Sequence, residues 1–157
     1  MDKSRPLSYA SNRPFTDICL DLADIVSFNL YYGWYDDLEL RPQYDKFLAW
    51  ADSAGAAGKP VIISEFGAAA IYGFREPTRG RWSEERQADI LDEALELYIK
   101  RPEICGTFIW QFCDCRITEE GTFYLTRPRN KNNKGVLDEY RRPKLSYSVV
   151  QKHFRKD

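Results

Sequence analysis

Glu65 closes the apolar run Val61-Ile62-Ile63-Ser64 and is followed at once by Phe66 and Gly67. Desolvating a carboxylate in such a place is costly unless it has a partner or a task. It could cap a following helix or pair with an arginine. At the end of a buried strand it could equally act in catalysis. Tyr31 and Tyr35 could be ordinary packing; near Glu65, either could donate a hydrogen bond to the carboxylate, which favours the ionised form a nucleophile needs. Trp110 offers a flat face for a pyranose ring, or a bulky side chain for a core. Asn132 and Lys134 stand just ahead of Gly135 and read two ways. They form a solvated turn, or a hydrogen-bond and charge clamp for an anionic substituent. Taken together these are groups that grip and cleave a sugar.

Other chemistries have little to work with. The four cysteines, Cys19, Cys105, Cys113 and Cys115, lack CxxC spacing, and the single histidine, His153, sits near the C-terminus in a Lys/Arg-rich segment. No metal site is expected from that set; the cysteines read as reduced and mostly buried, and His153 as solvated. A net charge of -1 gives no electrostatic footprint for nucleic acid or an anionic membrane. No stretch approaches the roughly 20 apolar residues of a membrane span. The polar start Met1-Asp2-Lys3-Ser4-Arg5-Pro6 does not resemble a signal peptide, so the expected location is the cytoplasm. Aromatic residues make up 15% of the chain, a share that suits a sugar-facing surface as well as a bulky core.

The elements that must position these residues alternate along the chain. Short strands are expected at 7–10, 25–31, 61–65 and 106–112. Helices are expected over 15–23, around Tyr44-Phe47-Leu48-Ala51, from Ser83 to about Tyr98, and from Pro143 to the end. Ser83 is a good N-cap, with Glu84 and Glu85 in the favourable first turn. Residues 118–134 read as a polar loop. Four βα units in 157 residues make one domain. They fit either a small doubly wound sheet or half of an eight-stranded βα barrel. The doubly wound reading lacks a glycine-rich phosphate loop after a strand. The barrel reading places its chemistry in the segments after strands, where Glu65, the tyrosines, Trp110 and the cationic loop all fall.

Five segments carry a resemblance: FNLYYGWY (28–35), KPVIISEFGA (59–68), RWSEERQ (81–87), FIWQFCD (108–114) and NNKGVLDEYRRPK (132–144). In this order they resemble the C-terminal half of the catalytic (β/α)8 barrel of glycoside hydrolase family 2, the β-glucuronidases most closely, over nearly the whole chain. The fold this implies is α/β, a partial TIM barrel of strands five to eight spanning 1–157. The resemblance puts the catalytic nucleophile on Glu65 and sets Asn29, Tyr31 and Tyr35 beside it. It makes Trp110 the tryptophan of strand eight, and Asn132 with Lys134 the Asn-x-Lys motif that binds a sugar carboxylate. Arg127 and Arg129 depart from the β-glucuronidase pattern.

The activity implied is retaining exo-hydrolysis of O-glycosyl bonds, on β-glucuronides first, with a β-galactosidase-type enzyme or a non-catalytic carbohydrate-binding piece as alternatives. Such an enzyme needs no cofactor and uses two carboxyl groups roughly 5 Å apart, one as nucleophile and one as acid/base. The family carries its acid/base in an Asn-Glu pair on strand four, and this sequence contains no Asn-Glu dipeptide. The expectation is therefore a nucleophile without its acid and little turnover from the chain alone. A half barrel also leaves edges and an inner face uncovered, so self-association or pairing with the missing N-terminal half is expected.

Overall fold

The computed structural model describes residues 4–155. Four strands lie side by side in chain order: β1 (Ala10–Ser11), β2 (Val26–Asn29), β3 (Val61–Phe66) and β4 (Ile104–Ile109). β1 runs parallel to β2 and β2 parallel to β3, with Ala10 opposite Ser27 and Val26 opposite Val61. A doubly wound sheet reverses its strand order at a switch point; this sheet winds in one direction, as an arc of a βα barrel does. No closed barrel forms among the described residues.

The chain divides into two compact units. The first comprises Met1–Phe66 and Leu97–Phe108, and it contains nearly all of the sheet. Helix α1 (Leu40–Ala51) buries Leu40, Tyr44, Phe47 and Ala51 along one face. Phe28 of β2 meets Phe47 edge-on at 4.8 Å between ring centroids. Tyr98 packs on both Tyr44 and Phe66, at 5.6 and 5.3 Å. After α1 the chain widens into a π turn over Asp52–Ala56, where Gly55 has φ of 100°. A side chain there would be strained and would press on Asp21, with a Cβ only 3.0 Å from that residue's Cβ.

The second unit comprises Gly67–Glu96 and Ile109–Asp157. It holds most of helix α2 (Glu84–Tyr98) and all of α3 (Leu145–Phe154), together with a two-stranded antiparallel ribbon of β5 (Cys115–Arg116) and β6 (Lys131–Asn132). Ser83 caps α2 as expected, its Oγ accepting the Arg86 N–H at 3.1 Å.

Several expectations need correction. The helix over 15–23 is only a 3-10 turn at Leu20–Leu22, with Leu20 buried and Ile18 90% exposed. The apolar pair one turn apart that suggested a helix, Ile18 and Leu22, faces outward, with Leu22 65% exposed, so no continuous apolar face is buried along the segment. The strand at 7–10 shrinks to Ala10–Ser11, and the segment after β4 leaves the sheet at Ile109 rather than at 112. The polar loop 118–134 contains a 3-10 turn at Pro128–Asn130 and strand β6. All four cysteines are free, but Cys19, Cys105 and Cys115 are exposed and Cys113 is half-buried. Cys105 lies on β4, an end strand of the sheet, and its thiol donates to the Val61 carbonyl at 3.5 Å. His153 is mostly buried and meets Asp92 at 2.7 Å, so it is not simply solvated.

Candidate functional site

The site in the first unit is built around an irregularity in the sheet. Phe28 stands opposite Ile63, but the next residue, Asn29, stands opposite Glu65, which leaves Ser64 as an extra residue on β3. Such a bulge re-aims the side chains beside it. Val61, Ile63 and Phe66 are buried, while Ser64 and Glu65 are both half-exposed, so the simple alternation breaks at this point. The Leu30 N–H donates to the Glu65 carbonyl at 2.8 Å and fixes the backbone beyond the bulge.

Two side-chain bonds cross from β3 to the segment after β2. The Tyr31 hydroxyl donates to Glu65 Oε2 at 2.7 Å, and the Ser64 hydroxyl donates to Asn29 Oδ1 at 2.8 Å. Tyr35 stacks edge-on against Tyr31, with ring centroids 5.4 Å apart, and is 58% exposed. Asn29, Tyr31, Tyr35 and Glu65 line one open cavity of about 400 Å³. A carboxylate held by a phenol in a cavity of sugar size can attack an electrophilic carbon or carry a proton.

Residues not singled out in the sequence also line that cavity: Asn12, Tyr32 and Asp36. Asp36 closes the turn after Tyr35, its Oδ1 accepting the Gly33 and Leu38 N–H groups at 3.0 and 3.1 Å. The Tyr32 hydroxyl is buried without a hydrogen-bond partner; burial, and then the charge of Asp36, push it up to about 12. The tyrosine pair in YYGWY signals Tyr32, but nothing in the sequence marks Ser64 as a bulge.

The remaining candidates, Trp110, Asn132 and Lys134, belong to the second unit. Trp110 is 40% exposed, and its carbonyl comes so close to Gly67 that a Cβ there would lie 2.7 Å from it. Asn132 is in β6, half-buried, and its Oδ1 accepts the Lys134 N–H at 3.3 Å. Lys134 is only 2% exposed, so it is a buried side chain rather than part of a solvated turn. The segment is tied to the residues after Trp110, since Gln111 N–H donates to the Lys134 carbonyl at 3.0 Å. Gly135 is required by close approach, because a Cβ would stand 2.3 Å from both Asp114 N and Leu137 O.

Beneath that segment lies a buried polar cluster. Lys144 Nζ donates to Asp114 Oδ1 at 2.8 Å, to the Ala70 carbonyl at 2.7 Å and to the Asn133 carbonyl at 3.0 Å. Burial pushes the Asp114 carboxyl up and the Lys144 amine down, both against the pull of the partner's charge. Among the described residues, no three His, Cys, Asp or Glu side chains are grouped so as to hold a metal ion.

The family model for glycosyl hydrolases family 2, TIM barrel domain, matches residues 1–156. The chain belongs to glycoside hydrolase family 2. A solved family 2 β-galacturonidase from Eisenbergiella tayi, bound to galacturonate, is 45% identical with a TM-score of 0.91; the match covers 96% of this chain and 27% of that one. The β-glucuronidase of Sus scrofa is 29% identical over 99% of this chain and 24% of its own length. A Faecalibacterium prausnitzii β-glucuronidase structure is 30% identical with a TM-score of 0.74, covering 95% and 25%. The family 2 chain described here thus spans about a quarter of the length of these relatives. The α/β sheet is part of a family 2 barrel, and the family 2 relatives are glycoside hydrolases.

Proposed function

We propose that the chain supplies the nucleophile side of a retaining β-hexuronidase, and that Glu65 is the nucleophile. The observation that carries this reading is the Tyr31 bond to Glu65 at the mouth of the β2–β3 cavity. In the reaction the Glu65 carboxylate attacks the anomeric carbon as the glycosidic C–O bond breaks. The departing oxygen takes a proton from a second carboxyl group, and water then hydrolyses the glycosyl ester with that group acting as base. Tyr31 holds the Glu65 carboxylate in place for the attack, and Asn29 and Tyr35 contact the sugar. Trp110 gives the ring a flat face. In the second unit, the family resemblance assigns the sugar carboxylate to the Asn132-x-Lys134 motif. The scheme calls for no metal or redox cofactor.

Two observations support an acidic sugar. The sequence holds Asn132-Asn133-Lys134, and the solved structures it resembles include enzymes named for galacturonides and glucuronides. The higher identity of the β-galacturonidase makes a β-galacturonide the first substrate to test, with a β-glucuronide beside it. The acid/base would come from residues outside this chain, joined to it or paired with it.

The test is hydrolysis of 4-nitrophenyl β-galacturonide, β-glucuronide and β-galactoside by the complete barrel containing these strands, beside its Glu65→Gln variant. The expected result is turnover of a uronide, little of the galactoside, and a loss of about 10³-fold or more on substitution. Undiminished hydrolysis by Glu65→Gln would overturn the assignment. Equal rates on uronide and galactoside would overturn the acidic-sugar reading.

A further inference from the structure

The buried Lys144–Asp114 pair sits where three segments of the second unit cross. Lys144 Nζ reaches Ala70, after β3, and Asn133, inside the Asn-x-Lys segment, as well as Asp114. The same Asp114 oxygen, Oδ1, accepts the Gly135 N–H at 2.9 Å. The Ala70 N–H closes the loop by donating to the Asn133 carbonyl at 2.9 Å. Residues 133 and 135, on either side of Lys134, are therefore held by one ion pair whose side chains are 0% and 1% exposed.

Further groups complete this support. Gln87 Nε2 donates to the Ala68 and Gly135 carbonyls at 2.8 and 3.1 Å, and Gln87 Oε1 accepts the Ser146 hydroxyl at 2.8 Å. The Asn133 amide lies 2.9 Å from the Lys131 carbonyl and 3.0 Å from that of Pro128, donating to both. The lysine donates to two backbone carbonyls and one carboxylate oxygen, and Gln87, Asp114, Asn133, Lys144 and Ser146 are all buried.

We infer that Lys144 and Asp114 are positioning residues, which hold Asn132 and Lys134 in the geometry that reads an acidic sugar. The inference rests on the acidic-sugar reading above. A buried pair is a weak source of net stability compared with well-packed apolar side chains. Its value here is directional: three acceptors at fixed places determine where the backbone on both sides of Lys134 must run. Slack in that backbone would cost recognition of the carboxylate and leave attack on the anomeric carbon untouched.

Lys144→Met and Asp114→Asn test this in the complete barrel. Asp114→Asn keeps an oxygen for Gly135 and Lys144 and removes only the charge, so it covers the case in which Lys144→Met does not fold. The first readout is the ratio of kcat/KM for 4-nitrophenyl β-galacturonide to that for the β-galactoside, which does not depend on the fraction of folded enzyme. The second is amide hydrogen exchange over 131–137, compared with 28–35 and 61–66. The ratio should fall by about tenfold or more, as for losing one bond to a charged group. Exchange should quicken over 131–137 alone. An unchanged ratio, or exchange that quickens equally in all three segments, would overturn the inference. If the parent enzyme itself shows no uronide preference, the acidic-sugar reading fails, and this inference falls with it by a separate result.

Discussion

The phenol of Tyr31 and the carboxylate of Glu65 meet although 34 positions separate them in the chain. The contact depends on a single extra residue, Ser64, whose hydroxyl at the same time engages Asn29. Beside them Tyr32 has a consequence that can be measured by pH. Its hydroxyl is raised from 10.0 to about 12 in the fold, by burial first and by Asp36 second. A group whose folded pKa lies above its unfolded value gives stability that is whole below the unfolded pKa and lost as pH climbs toward the folded one. Denaturant midpoints should therefore decline as pH rises above about 10, with the raised Tyr9 and Tyr44 hydroxyls adding to the effect of Tyr32, and Tyr32→Phe should make that decline shallower. A midpoint indifferent to pH across that window, or a decline as steep in Tyr32→Phe, would contradict the account. Glu65, Tyr31 and Tyr35 were legible in the sequence because a carboxylate at the end of an apolar run, with tyrosines after a neighbouring strand, is a pattern of residue types. Ser64 was not, since a bulge leaves no mark in composition or period. Nor was the burial of Lys134, which depends on how a polar loop folds back on itself.

At the scale of elements, the legible ones were those with two agreeing signals. Helix α2 has its Ser83 cap and a continuous apolar stripe, and β3 has a run too apolar for an exposed face. The segment 15–23 had apolar spacing alone and became a single 3-10 turn. The ribbon of β5 and β6 is two residues long on each side, below what any periodicity can signal. It is nonetheless the element that carries Asn132. The polar residues that support it, Gln87, Asp114 and Lys144, come from an amphipathic helix and two loops. They share no spacing along the chain; their association arises only when the backbone oxygens of Ala68, Ala70, Asn133 and Gly135 come to need donors.

The whole molecule presents a sheet that ends in β1 on one side and β4 on the other. Phe108 of β4 is 61% exposed. Unpaired strand edges beside large uncovered apolar side chains favour pairing with another chain or segment. We propose that, in the isolated chain, these edges are covered by a second copy of the chain. Sedimentation of the isolated chain over a range of concentrations should give a mass that rises above 18.4 kDa, and a constant monomer would contradict this. The chain spans about a quarter of its relatives' length.

In the proposed reaction Glu65 forms a covalent bond to the sugar. A 2-deoxy-2-fluoro-β-galacturonosyl fluoride tests it most directly. Fluoride departs without a proton donor, and the second fluorine slows hydrolysis of the ester, so the covalent intermediate accumulates. Mass spectrometry of the digested complete enzyme should find the fluorosugar on the peptide containing Glu65 and on no other, and none in Glu65→Gln. A label on a different carboxylate, or turnover of the uronide with Glu65 never labelled, would contradict the account.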